Sequence, residues 1–167
     1  MKNRRSRKLI ESFGGRVMAF RNLPIPAQLA MAWYMAVDGE AWELPPEQVS
    51  DETSLLEITR DFSEMLPWFI KKYGSKRFGY VEIPMEVLTK QVMRDQWMKE
   101  DMPNLKDFEQ YHRWYVRQGG MPDHPLTDLW PVILSTNYEE ETLEDGWHRL
   151  HDYYRKGVEI VPAVYFP

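Results

Sequence analysis

Apolar positions recur at spacings of three and four along much of the chain, which is the pattern of helices that bury one face. Leu29, Ala30, Trp33 and Val37 make one such stripe, with Pro26 suited to its first turn and Gly39 to its stop. A second stripe runs through Leu55, Ile58, Phe62, Met65, Leu66 and Phe69 behind Ser50 or Asp51 as N-cap, and Pro67 is expected to kink or restart that helix. Residues 78–83 change the pattern: Phe-Gly-Tyr-Val-Glu-Ile is rich in β-branched and aromatic residues and predicts a strand. Pro84 then opens a helix expected over 85–98. Another is predicted from an Asn104 cap through Leu105, Phe108, His112, Tyr115 and Val116 to the Gly119-Gly120 pair.

From Trp130 onward the order becomes strand, strand, helix, strand. Residues 130–135 read as a buried strand and 142–144 as a short one. Residues 146–156 read as a helix with Trp147, Leu150 and Tyr154 inward and Gly157 closing it, and residues 160–166 as an apolar final strand. With 167 residues, 43% hydrophobic and seven Trp, nine Tyr and seven Phe, the chain has material for a real core, and global disorder is excluded. The absence of cysteine removes disulfides, thiolate-ligated metals and thiolate nucleophiles.

The net charge of −5 hides an asymmetry. Lys2, Arg4, Arg5, Arg7, Lys8, Arg16 and Arg21 face the single acid Glu11 within the first 21 residues, so the acidic excess lies in the rest of the chain. A basic arm over 2–21 can hold a nucleic-acid backbone, fold back onto the acidic body, or solubilise a frayed terminus. No signal-peptide core and no run of about 18 apolar residues is present, so the expectation is a cytoplasmic protein without a membrane partner.

The stretch with chemical content is Leu143-Glu144-Asp145-Gly146-Trp147-His148-Arg149-Leu150, where a strand hands over to a helix. Glycine there permits a tight turn, and a helix N-terminus offers free N–H groups and partial positive charge. Cations at His148 and Arg149 oppose the helix dipole, a placement that a phosphate or carboxylate ligand would explain. Asp145 can cap the helix or orient a metal or a ribose hydroxyl. In the simpler alternative, Asp145 is an ordinary cap, Gly146 a turn residue, and His148 and Arg149 surface groups paired with Asp152 and Glu144.

Taken together, Trp130-Pro131-Val132-Ile133-Leu134, the 143–151 stretch, Gly157 and Ile160-Val161-Pro162-Ala163-Val164 resemble the ParB/sulfiredoxin superfamily, whose members carry a Gly-x-His-Arg or Gly-x-Arg-Arg motif at the start of a helix. The strand at 78–83 and the 84–88 segment match its opening elements more weakly. The resemblance implies an α+β (mixed α/β) fold: a small mixed sheet over 78–167, with residues 1–77 as a basic arm plus helical extension. It further implies a nucleotide, ATP or CTP with Mg²⁺, whose phosphates are held by Gly146, Trp147, His148 and Arg149. Asp145 and His148 are then the catalytic candidates for phosphoryl transfer, as in free-serine kinases of this superfamily, or for nuclease chemistry. Sulfiredoxin activity is excluded, because its cysteine position is Trp147. With Pro167 as the last residue, partition machinery beyond the closing strand is not expected. The competing expectation is a catalytically silent domain acting as a DNA or protein interaction module.

The remaining candidates are weaker. His148 and His151, with His112 or His124, could ligate a metal along one helix face, but His151 fits better as a polar-edged core residue, and no metal is assigned. Tyr111, Trp114 and Tyr115 read as core or interface, Glu139-Glu140-Glu141 as a solvated turn, and Ser12-Phe13-Gly14-Gly15 lacks the lysine and hydroxyl of a phosphate loop.

Overall fold

The computed structural model describes residues 3–45, 62–120, 130–138 and 140–167. Within them lie seven α-helices and five strands. These are α1 (Arg4–Ser12), β1 (Arg16–Ala19), α2 (Ile25–Trp33), α3 (Leu66–Tyr73), β2 (Arg77–Pro84), α4 (Met85–Val92), α5 (Gln96–Asp101), α6 (Phe108–Arg117), β3 (Val132–Leu134), β4 (Leu143–Asp145), α7 (Trp147–Arg155) and β5 (Ile160–Tyr165). The fold is α+β, with the strands in one mixed sheet of order β1-β2-β5-β3-β4. β5 runs antiparallel to β2 and parallel to β3, and the outer pairs are antiparallel. No helix among the described residues is long and apolar enough to cross a membrane.

Alternation along the strands gives each face of the sheet its own core. Val81, Ile83, Val132, Leu134, Val161, Ala163 and Tyr165 point to one face and pack with α1, α4, α5, α6 and α7. Phe78, Ile133 and Val164 point to the other, where Phe20, Met31, Trp42, Phe62 and Phe69 meet them. The second layer comes from the N-terminal half apart from the strands themselves, Trp130 and Phe166. Tyr165 lies over Gly79, its cross-strand partner, where a Cβ would sit 1.9 Å from the ring; glycine is what lets the tyrosine close over the strand.

Most helix boundaries follow local signals. α2 has Pro26 in its first turn and runs on as a π-helical turn over Tyr34–Asp38 before Gly39. A 3₁₀ turn at Phe62–Met65 precedes α3, so Pro67 restarts the helix as expected, in its first turn. The Ser50, Asp51, Leu55 and Ile58 part of that predicted stripe lies outside the described residues. Two expectations change. The helix predicted over 85–98 is two helices, broken at 93–95, because Asp95 turns into the interior. And α6 is capped by Asp107, whose side chain accepts from Gln110 N, not by Asn104.

The basic arm is part of the fold. Asn3 is fully buried: its Oδ1 accepts from Ser6 N as the cap of α1, its N–H donates to Thr136 O, and its Nδ2 donates to Tyr138 O at 2.7 Å and Glu141 O at 3.0 Å. Leu9 and Ile10 enter the core, and Arg5 reaches the buried Asp95 at 3.3 Å. Residues 16–19, in a stretch read only as arm, form the edge strand β1. Of the three fates open to the arm, docking on the body is the one the structure shows.

Asn3→Ala removes a buried helix cap and the two bonds from its amide to Tyr138 O, which Ser135 Oγ also reaches, and to Glu141 O, so it should cost about 1–3 kcal/mol of unfolding free energy by urea titration. A loss below about 0.5 kcal/mol would mean that the arm is not docked in solution.

Candidate functional site

The 143–150 stretch forms the predicted junction, with β4 ending at Asp145, Gly146 at the N-cap and α7 starting at Trp147. Gly146 has φ +94°, in the left-handed region, and a Cβ there would lie 2.9 Å from the Arg149 guanidinium and 3.0 Å from Val132 Cα. Conformation and space both require glycine. No side chain caps α7.

The four motif side chains diverge. Arg149 is buried: its Nε donates to Pro131 O at 3.0 Å and its guanidinium reaches Asp145 Oδ2 at 3.3 Å. It therefore ties α7 back to the chain entering β3 and to the end of β4. His148 is exposed, its Nδ1 donating to Gly120 O at 2.7 Å and also bonding the Tyr115 hydroxyl. Trp147 stands at right angles to Trp97, with ring centres 5.4 Å apart. Asp145 is half-buried and paired with Arg149. The surface pairing of His148 and Arg149 with Asp152 and Glu144 is not found; Asp152 bonds Arg155 and Lys156 instead.

Behind the junction is a feature the sequence did not announce. The π-helical turn brings Tyr34 to Glu144, whose Oε1 accepts from the Tyr34 hydroxyl at 2.7 Å. Burial first, and then Glu144, raise the Tyr34 hydroxyl above its ordinary range. Asp38, on the same turn, has its carboxyl raised by partial burial and by Asp145, with Arg149 opposing. Tyr34 and Asp38 lie more than a hundred residues before the junction in a stretch whose spacing reads only as helix, so no local signal links them to it. The surroundings of Arg149 are thus acidic.

Ahead of the junction is an aromatic wall. Trp97, Tyr111, Tyr115, Trp147, His148 and Glu141 line an open cavity of about 360 Å³. Tyr115 lies flat on the fully buried His151, 3.7 Å between ring centres, and burial pushes its hydroxyl up to about 12. Glu141, read as part of a solvated turn, is half-buried at this cavity, and Glu139 lies outside the described residues. Burial, Asp95, Glu144 and Glu140 all raise its carboxyl above the ordinary range. Its backbone is fixed by Asn3, and the following residue by Asp95, which accepts from Thr142 N at 2.8 Å and Thr142 Oγ1 at 2.6 Å.

His151 is a core residue, as its sequence position suggests. Its Nδ1 meets His112 Nδ1 at 2.9 Å, so one ring donates and the other accepts, and in either tautomer its buried Nε2 has no partner. Burial, with His112 and His148 nearby, depresses its pKa to about 3, and burial also lowers that of His112. No group of three or more His, Cys, Asp or Glu among the described residues could hold a metal ion, and His124 lies outside them. No family model, no curated protein and no solved structure matches the chain.

Two outcomes follow. Arg149→Ala should lower stability by about 2–4 kcal/mol in the absence of any ligand, read by chemical denaturation, because it strands the Pro131 carbonyl and half-buried Asp145. His151 stays neutral in the folded chain down to about pH 3, while the unfolded chain protonates it below the ordinary value of 6.5. Its contribution is therefore complete above pH 6.5 and is lost as pH falls toward 3, by at most about 1.4 kcal/mol per unit. Urea midpoints between pH 7 and 4 should fall less steeply in His151→Phe than in the parent; equal slopes would contradict the assignment.

Proposed function

We propose that the chain is a ParB/sulfiredoxin-like domain that works as a binding module and carries out no phosphoryl transfer. The observation that supports this best is the direction of Arg149. A phosphoryl-transfer site needs its cation aimed at the charge that develops on the transferred group. Here the guanidinium is buried and engaged with Pro131 O and Asp145. The neighbouring carboxylates Asp38, Glu144 and Asp145 add negative potential where a nucleotide would bring more.

Nucleotide binding remains the second reading, favoured by one observation: Gly146 opens α7 in a left-handed conformation with no side chain capping the helix. In that reading the first-turn amides and His148 hold a phosphate of ATP or CTP with Mg²⁺, and Asp145 and His148 serve the chemistry. Nucleic-acid binding by the 2–21 arm would fall to the cations still exposed on it, Arg4, Lys8 and Arg16 among them, since Arg5 and Arg21 are engaged with Asp95 and Gly74 O.

A thermal scan separates the two readings. A nucleotide present at 100 times its dissociation constant adds about 2.7 kcal/mol and should raise Tm by about 5–10 °C in a chain of this size. The module reading expects no such rise from millimolar ATP or CTP with Mg²⁺. A rise that disappears in His148→Ala, a variant of an exposed side chain, would establish the nucleotide site instead.

A further inference from the structure

We propose that the cavity walled by Trp97, Tyr111, Tyr115 and Trp147, with Glu141 at its edge, binds an alkylated ammonium group. The inference rests on the reading of the domain as a binding module and names the chemistry of its ligand.

The first argument is geometric. Trp147 meets Trp97 at 90°, Trp97 meets Tyr111 at 69°, and Tyr111 meets Tyr115 at 69°. His151 covers one face of Tyr115, Gly120 lies over the other, and Tyr111 is buried, so a guest meets the half-buried indoles of Trp97 and Trp147, set across one another as the corner of a box. Ring faces carry negative charge density, and a cation within about 6 Å of a ring centre is attracted to it, most strongly by tryptophan. The cavity of about 360 Å³ is at the small end of ligand sites, a size suited to a headgroup.

The second argument is electrostatic. Glu141 is the carboxylate of the lining, and each neighbouring charge that acts on it is another acid: Asp95, Glu144 and Glu140. A bound cation would relieve that repulsion, whereas a phosphate or carboxylate guest would add to it. Alkylation is favoured over a bare ammonium because a primary ammonium is strongly hydrated and would give up water for rings that accept only weakly.

The third argument is preorganisation. Tyr115 is stacked on buried His151 and its hydroxyl is tied to His148. The Trp97 indole hydrogen-bonds Asp95, and Glu141 is held by Asn3 through its backbone. A guest therefore meets walls that are already in place, which lowers the ordering cost of binding.

The test uses the full chain, titrated with choline and with 3,3-dimethylbutan-1-ol, its uncharged isostere, at constant ionic strength, following the tryptophan indole N–H resonances by NMR. Choline should saturate and move at most a few indole signals, including the one lost in Trp147→Phe. The isostere should bind about ten-fold more weakly, and Glu141→Gln, at a half-buried position, should weaken choline about five-fold or more. A trimethyl-lysine peptide that binds about ten-fold tighter than choline would place the headgroup on a modified protein chain; equal or weaker binding would make it a free small cation, and either supports the ammonium site. Equal affinity for choline and the isostere, unchanged affinity in Glu141→Gln, or no saturation by about 50 mM choline would overturn the proposal. Those failures leave the module reading standing. A nucleotide-dependent rise in Tm removes that reading separately.

Discussion

β5 is the strand on which the molecule depends. It lies at the centre of five, bonded antiparallel to β2 on one edge and parallel to β3 on the other, and its alternate residues enter two different cores. Val161, Ala163 and Tyr165 meet the helices that carry the candidate site, while Val164 meets the N-terminal layer. A one-residue slip would exchange these sets and expose both cores, so its register is held by burial on each side. Because β5 follows α7 directly and runs parallel to β3, α7 is the last part of the crossover between them, and its N-terminus must lie close to β3. The position of the Gly146 junction is thus a consequence of sheet topology before any ligand is considered.

A second constraint fixes the other wall of the site. The acidic turn before β4 would be expected to repel itself into solvent, yet Asn3 and Asp95 hold it against the body through its backbone and through Thr142. Burial raises the Asp95 carboxyl, and Thr142, Arg5 and Trp97 draw it back down. This couples the first helix of the chain to the turn that presents Glu141. The role of Arg5 in that network is partnership with a buried acid, and a charge count along the sequence cannot separate such a residue from one facing solvent.

What could be read from the sequence was what local physics decides. The strand-strand-helix-strand order after residue 130, the restart at Pro67 and the Gly157 stop rest on period and on residue types with narrow backbone preferences, and each lies where expected. β1 is not legible locally because Arg16-Val17-Met18-Ala19 shows no apolar–polar alternation and gains its strand character from pairing with β2, which is a long-range fact. The spacing predicts one helix over 85–98, through Asp95, because nothing local says that this acid turns inward to meet Thr142, 47 positions later. The cavity follows the same rule. Trp97, Tyr111 and Tyr115 each read as ordinary core positions at helical spacing, and only the assembled helices α5, α6 and α7 show that their rings, with Trp147, border a shared opening.

The motif itself illustrates why a pattern of residues underdetermines chemistry. Glycine, any residue, histidine and arginine at the start of a helix suggest a phosphate cradle because the pattern places a helix end, an imidazole and a guanidinium within one turn. In this chain Gly146 and Arg149 need each other for packing: the missing Cβ is the space into which the guanidinium folds back, and that fold-back is what reaches Pro131 O and Asp145. The strand-to-helix turn thereby acquires an internal cross-link that closes the gap between β3, β4 and α7. A Gly-x-x-Arg spacing is therefore intelligible as a structural device without an anion. Of Arg149 and His148 only His148 faces outward, and it faces a tyrosine and an aromatic cavity edged by a carboxylate, a setting whose charge suits a cation better than a phosphate.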